Sequence, residues 1–425
     1  MKSCRVLIVG GGPAGMTAAL WIARRLRERD CSPSSVVILE KNNRIGKKLL
    51  LTGNGRCNLT NLSCSDSHFH GEQPSFSSPA LRLFSPETVI SFFSSLGVES
   101  IALEDKVFPR SLHASSVLDG LRLALEEEGV DIICQKRVES IKKKEDLFCI
   151  RTESGEKWNS RAVLIATGGL SAPETGSTGD GYSLLSSFSH GLAEPLPTIV
   201  PLKSKDPFCR SISGLKVQGH CTLFAGKEKI RKEEGEILFT DYGLSGPPIL
   251  QLSESVTRLL HRNGQAPKTD LEIRVDLTPD ILYPDLLFAF QQRKKAFGRR
   301  TLENFFTGLF HRRIGFALIK KAVNKPLSSS VSALTEKDLK SLTLCCKELS
   351  IPIDETIGFS RAQATAGGIL TSDFGSESME SSLCAGLFAC GEVLDVDGDC
   401  GGYNLQWAWS SGFLAAEGII SYLKY

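Results

Sequence analysis

Nowhere do the 425 residues approach the eighteen or more consecutive apolar positions of a membrane span. The apolar run within MKSCRVLIVGGGPAG is too short for a secretory leader and reads as a buried strand. Net charge is nearly missing as well: 50 Lys+Arg against 48 Asp+Glu leave +2, so overall charge selects no partner. The 13 cysteines are odd in number and lack both a regular framework and a C-x-x-C pair. That excludes a disulfide-stapled scaffold and argues against disulfide-reductase chemistry, with Cys345 and Cys346 merely adjacent in a helical stretch. These absences together predict a cytoplasmic globular protein with reduced thiols.

What is present is enough chain for two or three domains at about 100–200 residues each. Arg5–Val9 reads as a strand and Ala18, Ala19, Ile22, Ala23 and Leu26 as the apolar stripe of a helix. Val36–Leu39 reads as a second strand, completing a βαβ opening. A hairpin around Ser154-Gly155 and the strand Ala162–Ala166 continue the pattern, with helices predicted near Pro86–Leu96 and Ser115–Glu128. From about Pro195 the texture becomes β-rich, ending in the alternating strand Leu271–Leu277. Pro279 to Leu349 reads as a helical insertion, broken at Pro326 and the serines 328–330. Strands return at Gly367–Leu370 and Gly386–Cys390, and Ala408–Leu423 reads as a closing helix.

Between the first strand and its helix stands Gly10-Gly11-Gly12-Pro13-Ala14-Gly15, the G-x-G-x-x-G pattern in the context it demands. Gly10 allows the tight turn, Gly12 lets backbone approach a pyrophosphate, and Gly15 lets the helix pack closely. Free N–H groups at the helix start then face the anion. Glu40, ending the second strand, falls where an acid accepts hydrogen bonds from ribose hydroxyls. This fingerprint suits NAD and FAD alike, and the carboxyl-terminal part of the chain favours FAD. Ala166-Thr167-Gly168-Gly169 closes a strand in a glycine turn. The strand Leu387–Cys390 is capped by Gly391 and Glu392, an acid placed to bind a ribityl chain. Gly401-Gly402-Tyr403-Asn404-Leu405-Gln406 opens the last helix, whose positive end can stabilise negative charge on a reduced flavin. The segment Thr52–Asn61 (TGNGRCNLTN) is dense in hydrogen-bonding groups and turn formers, with Arg56 beside Cys57. No second G-x-G-x-x-G is present, so any NAD(P)H must dock transiently.

Taken together, GGGPAG, GKKLLLTGNGRCNLTN, ATGG with TGSTGDGY, EILFTDYGLSGPPILQLS, ATAGGI and ACGEVLDVDGDCGGYNLQWAWSSG resemble the BaiN-type family of bacterial flavoproteins over nearly the whole chain. The resemblance implies an α/β fold: a glutathione-reductase-type FAD-binding Rossmann domain with parallel sheet and β-meander, interrupted by an all-β barrel-like domain that carries a helical insertion. The boundaries expected are 1–194 with 355–425, 195–278 with 350–354, and 279–349. Implied FAD contacts are Gly10, Gly12, Gly15, Glu40, Lys41, Arg56, Cys57, Asn58, Ala166, Thr167, Gly391, Glu392, Gly402, Asn404 and Gln406. The implied reaction is hydride transfer from reduced FAD to an activated C=C bond, either of a steroid-like enone or of uridine in ribosomal RNA. Cys57, Asp241 and Tyr242 are candidates for the proton donor, although many relatives carry His where Asp241 stands. The stretch Thr175–Tyr182 also resembles fumarate-reductase flavin domains, but no arginine shuttle of that type is recognisable.

One feature is independent of family. Arg293, Lys294, Lys295, Arg299, Arg300, Arg312, Arg313, Lys320 and Lys321 face the single acid Glu303, a local charge near +8. Phe297, Phe305, Phe306, Phe310 and Phe316 interleave, which predicts a face for structured RNA: cations for phosphates and rings for bases. A non-catalytic factor that binds FAD and RNA would share these features without turnover.

Overall fold

The computed structural model describes residues 2–29, 35–261 and 270–424. They fall into two compact units, residues 1–197 with 359–425, and residues 198–358.

The first unit is built on a seven-stranded sheet. Strand Lys2–Val9 lies between Val36–Leu39 and Lys157–Ile165, parallel to both, with Val9 opposite Leu39 and Ile165. Val6–Val9 and Val36–Leu39 are all buried, because helices and loops cover both faces, and such strands read as unbroken apolar runs. Asp131–Ile133 extends the parallel edge beyond Val36–Leu39. On the other side, the nine-residue strand Lys157–Ile165 divides its pairing. Residues 157–160 run antiparallel to Leu147–Thr152 in a meander, and residues 163–165 run parallel to Leu387–Ala389. Helix Pro13–Arg27 starts with Pro at its first turn and carries Arg24, Arg25 and Arg27 in its last, where cations offset the negative helix end. It packs against the closing helix Tyr403–Tyr422 so tightly that a Cβ on Gly412 would sit 2.5 Å from the Ala14 carbonyl oxygen. That closing helix begins at Tyr403, directly after Gly402 as the glycine pair predicts and five residues ahead of the apolar stretch from Ala408. Its first turn holds Asn404 and Gln406.

The second unit has its own core and a seven-stranded antiparallel sheet. The sheet's two outermost strands, Leu349–Ile353 and Glu355–Thr356, are separated in sequence by Asp354 alone. The sheet therefore curls round on itself in the barrel-like manner expected. Helices Tyr283–Phe297, Arg312–Ala322 and Glu336–Lys347 fill the predicted insertion. Their Leu286, Phe290, Leu318 and Leu342 share one core with strand residues Cys221, Ile273 and Ile351. The twelve described cysteines are free thiols, and Cys31 lies outside the described residues. Among the described residues no helix is long and apolar enough to cross a membrane.

Candidate functional site

Four parallel strands of the first unit end at one place. The residues that follow them, Gly10–Gly12, Glu40–Asn42, Ala166–Gly168 and Cys390–Glu392, line a cleft of about 1190 Å³ including its mouth. Cofactor sites of open α/β sheets lie beyond the carboxyl ends of strands.

Two glycines of the fingerprint serve different ends. A Cβ on Gly15 would lie 2.1 Å from the Gly10 carbonyl oxygen, so the turn itself demands glycine there. A Cβ on Gly12 would meet nothing closer than the Ala166 oxygen at 4.0 Å, and its φ of −81° suits any residue. The fold does not need glycine at position 12; a ligand against the loop does. The Thr167 hydroxyl and the Trp407 indole nitrogen belong to cleft-lining residues and are buried with no hydrogen-bond partner among the described residues. Both atoms are shielded from solvent by the protein itself, and the Thr167 hydroxyl lies against Gly181, so neither is open to a ligand. The glycine loop, with its open space at position 12, fits a dinucleotide.

The acids are already engaged. Glu40 accepts from the Gly11 N–H at 2.8 Å, the Asn42 N–H at 2.7 Å and the Asn42 amide at 2.8 Å. A carboxylate accepts about four bonds, which leaves Glu40 one place for a ribose hydroxyl. Glu392 accepts from Ser171 at 2.8 Å and the Thr365 N–H at 2.7 Å, and forms an ion pair with Lys48 at 2.5 Å. Lys41 bonds Asp180 at 2.8 Å, and Asp180 also holds Arg137 at 2.9 Å. Burial alone would raise the Asp180 carboxyl, but Arg137 and Lys41 outweigh it and keep it below the usual range.

A family model described as HI0933-like protein Rossmann domain matches residues 4–418. The chain belongs to the HI0933-like family. As a member of this BaiN-type family it is an FAD-dependent oxidoreductase. It is 35% identical over 414 residues to the 3-dehydro-bile acid delta(4,6)-reductase of Clostridium scindens, covering 97% of this chain and 98% of the relative. It is 28% identical to the ribosomal RNA dihydrouridine synthase of Haemophilus influenzae, covering 97% and 98%. An open flavocytochrome c3 fumarate reductase is similar with a TM-score of 0.49 at 16% identity, over 99% of this chain and 78% of that one.

In this HI0933-like chain the cleft gathers Gly10, Gly12, Glu40, Lys41, Ala166, Thr167, Gly391, Glu392 and Asn404. Gly15, Arg56, Cys57, Asn58, Gly402 and Gln406 are not among its lining residues. Gln406 is fully buried; it accepts from Thr60 and donates to the Phe84 carbonyl at 2.6 Å and Ser410 at 2.8 Å, so it ties the closing helix in place. Asn404 lines the cleft, yet its amide is spent on Gly398, at 2.7 and 2.9 Å. Gly402 packs on Thr60 and Asn58, and the side-chain Oδ1 of Asn58 is buried without a partner among the described residues. Arg56 is exposed, 5.3 Å over the Phe108 ring. Cys57 is completely buried and burial pushes its thiol up to about 12, which removes the reactive-thiol reading. Asp241 and Tyr242 are exposed on the second unit, in a cleft with Lys203, Lys205, Arg210 and Glu355.

Sequence reasoning missed Lys48. Its partner Glu392 is 344 positions away, so no local pattern announces the pair. The aromatic half of the basic-face expectation needs correction: Phe305 and Phe306 are 2% exposed and pack edge to face with Phe290 as core. Three of the nine cations are structural as well. Arg293 donates to the Phe305 and Thr307 carbonyls, Arg313 to those of Ser211 and Ser213, and Lys321 pairs with Asp206 at 2.6 Å.

Proposed function

We propose that this oxidoreductase reduces an activated C=C bond in a uridine of structured ribosomal RNA, in the cytoplasm, with NAD(P)H docking transiently as reductant. When bound, FAD supplies the hydride for such a reduction. The observation carrying the RNA reading is the set of exposed cations Lys295, Arg299, Arg300 and Lys320 with Lys294 beside them. None of the five has an ionic partner among the described residues. The relative named ribosomal RNA dihydrouridine synthase, matched over nearly its full length, supports it.

In this reading the Gly10–Gly12 turn and the first N–H groups of helix Pro13–Arg27 hold the pyrophosphate. Glu40 spends its remaining acceptor on a ribose hydroxyl. Lys48 and Glu392, locked to each other, orient the ribityl region. The start of helix Tyr403–Tyr422 turns its positive end toward negative charge, and Leu49, Leu405 and Trp407 keep water out of the apolar wall. Asp241 and Tyr242 are the remaining proposed proton donors.

A second reading, a small steroid-like enone as acceptor, is favoured by the higher identity to the bile acid reductase. Anaerobic mixing separates the two. Flavin bleached by NADPH or NADH should regain its colour on addition of ribosomal RNA and stay bleached with the enone. The reverse result selects the small acceptor, and bleaching by neither nicotinamide removes NAD(P)H.

A further inference from the structure

The aromatic groups expected to meet bases are in part core, which leaves a question: what on this surface can stack? Among the described residues the helix Tyr283–Phe297 answers it. Phe288 is 61% exposed, and Leu282 and Tyr283 at the helix start are 70% and 37% exposed. Phenylalanine standing free in water on a helix is unfavourable by the burial it forgoes. It also lies on one stripe. Asp285, Phe288, Ala289, Gln292, Lys295, Ala296 and, just past the helix, Arg299 are exposed at successive three- and four-residue steps. Leu286 and Phe290 on the opposite side are buried and hold the helix to the core. The stripe passes from rings to cations: Phe288 to Lys295 is two turns, about 10 Å, and Arg299 follows about one turn later. Its only acid is Asp285, at the ring end. The Arg300 guanidinium lies 4.1 Å over the Phe297 ring, which presents cation and ring as one flat surface beside the stripe.

We propose that this helix face binds single-stranded RNA, with an unpaired base stacked on Phe288 and neighbouring phosphates held by Lys295 and Arg299. The inference rests on the RNA reading above and goes beyond it by assigning the stacking residue, which lies outside the Arg293–Lys321 segment, and by requiring an unpaired base. Charge alone would serve duplex and single strand equally; an exposed ring set two turns from cations favours an unstacked base beside backbone.

The experiment uses the full-length FAD-loaded protein, a fluorescently labelled 12-nucleotide single-stranded RNA and a duplex of equal length. Phe288→Ala should weaken the single strand by about 5- to 150-fold, the range of one lost base stack, while the slope of log affinity against log salt is unchanged. Lys295→Gln with Arg299→Gln should lower that slope by about 1.4, two single-strand phosphate contacts. Phe288→Trp should retain binding and show indole fluorescence quenched by RNA. Since residue 288 is exposed, FAD content and melting temperature should match the parent in each variant. Parent-like affinity in Phe288→Ala, with the salt slope still sensitive to Lys295 and Arg299, would overturn the stacking assignment and leave the RNA reading standing. No RNA binding by the parent at low salt would overturn both. Phe288-dependent binding to phosphatidylglycerol vesicles in place of RNA would make this face a membrane contact instead.

Discussion

The cleft of the first unit and the basic face of the second treat charge in opposite ways. In the cleft, Glu40, Glu392, Lys48, Lys41 and Asp180 are each fastened to protein partners. On the helical insertion, Lys294, Lys295, Arg299 and Lys320 are held by nothing among the described residues. A site whose groups are fixed beforehand loses little order on binding and suits one cofactor kept in place. A face of solvated cations suits a polyanion that arrives and leaves, with an affinity set by salt. Under the proposed function, tight and transient binding would thus be divided between two regions of one chain.

The sharpest way to break the comparison is at Gly12. Gly12→Val should purify as folded but colourless protein, because its side chain has room in the protein and none beside a pyrophosphate. Full flavin content would remove the loop from the site. Gly15→Ala should do the reverse of sparing the fold: its Cβ strikes the Gly10 carbonyl, and denaturant titration should show a loss of about 1–3 kcal/mol or more. Next in size, Glu392→Ala strips Lys48, Ser171 and the Thr365 N–H of their acceptor. Fluorescence titration should then find FAD bound about ten- to a hundredfold more weakly, and an unchanged dissociation constant would leave Glu392 a purely structural partner.

A smaller effect tests the insertion. Replacing Lys294, Lys295, Arg299 and Arg300 by Gln should flatten the salt dependence of RNA binding by up to about 3 units while sparing melting temperature and FAD content. Arg313 is left out, because its bonds to Ser211 and Ser213 would confuse a charge effect with a packing one.

The smallest effect concerns Cys57. Its buried thiol should resist alkylation in the folded protein at about pH 8 and react once unfolded. Burial pushes the Cys57 and Cys209 thiols up to about 12 in the folded chain, from about 8.5 when unfolded. Between those values the unfolded chain binds fewer protons, so this contribution to stability falls as pH rises through that window. A rise in stability there would contradict the burial of these thiols.

The strands and the glycine loop were legible because they are local: Val36–Leu39 is an unbroken β-branched run, and Gly10–Gly15 sits between strand and helix. The opening of the closing helix at Gly401-Gly402 was legible too, but the bonds of its Asn404 and Gln406 were not, since their partners Gly398, Thr60 and Phe84 lie in other segments. Their side-chain bonds to Gly398, Thr60, Phe84 and Ser410 show that these polar residues also hold the protein together. Lys48 stayed hidden because an ion pair across 344 residues leaves no spacing to read. Phe288 stayed hidden because one exposed ring among many phenylalanines is distinguishable only by burial.

The central claim, that the FAD cleft acts on a uridine of ribosomal RNA, is tested most directly by nucleoside mass analysis. Ribosomal RNA from a strain lacking the protein would be incubated with the purified, FAD-loaded enzyme and NAD(P)H. One uridine should gain the mass of two hydrogens with wild type and not with Gly12→Val. Ribosomal RNA that leaves the wild-type reaction with every uridine unchanged would contradict the account.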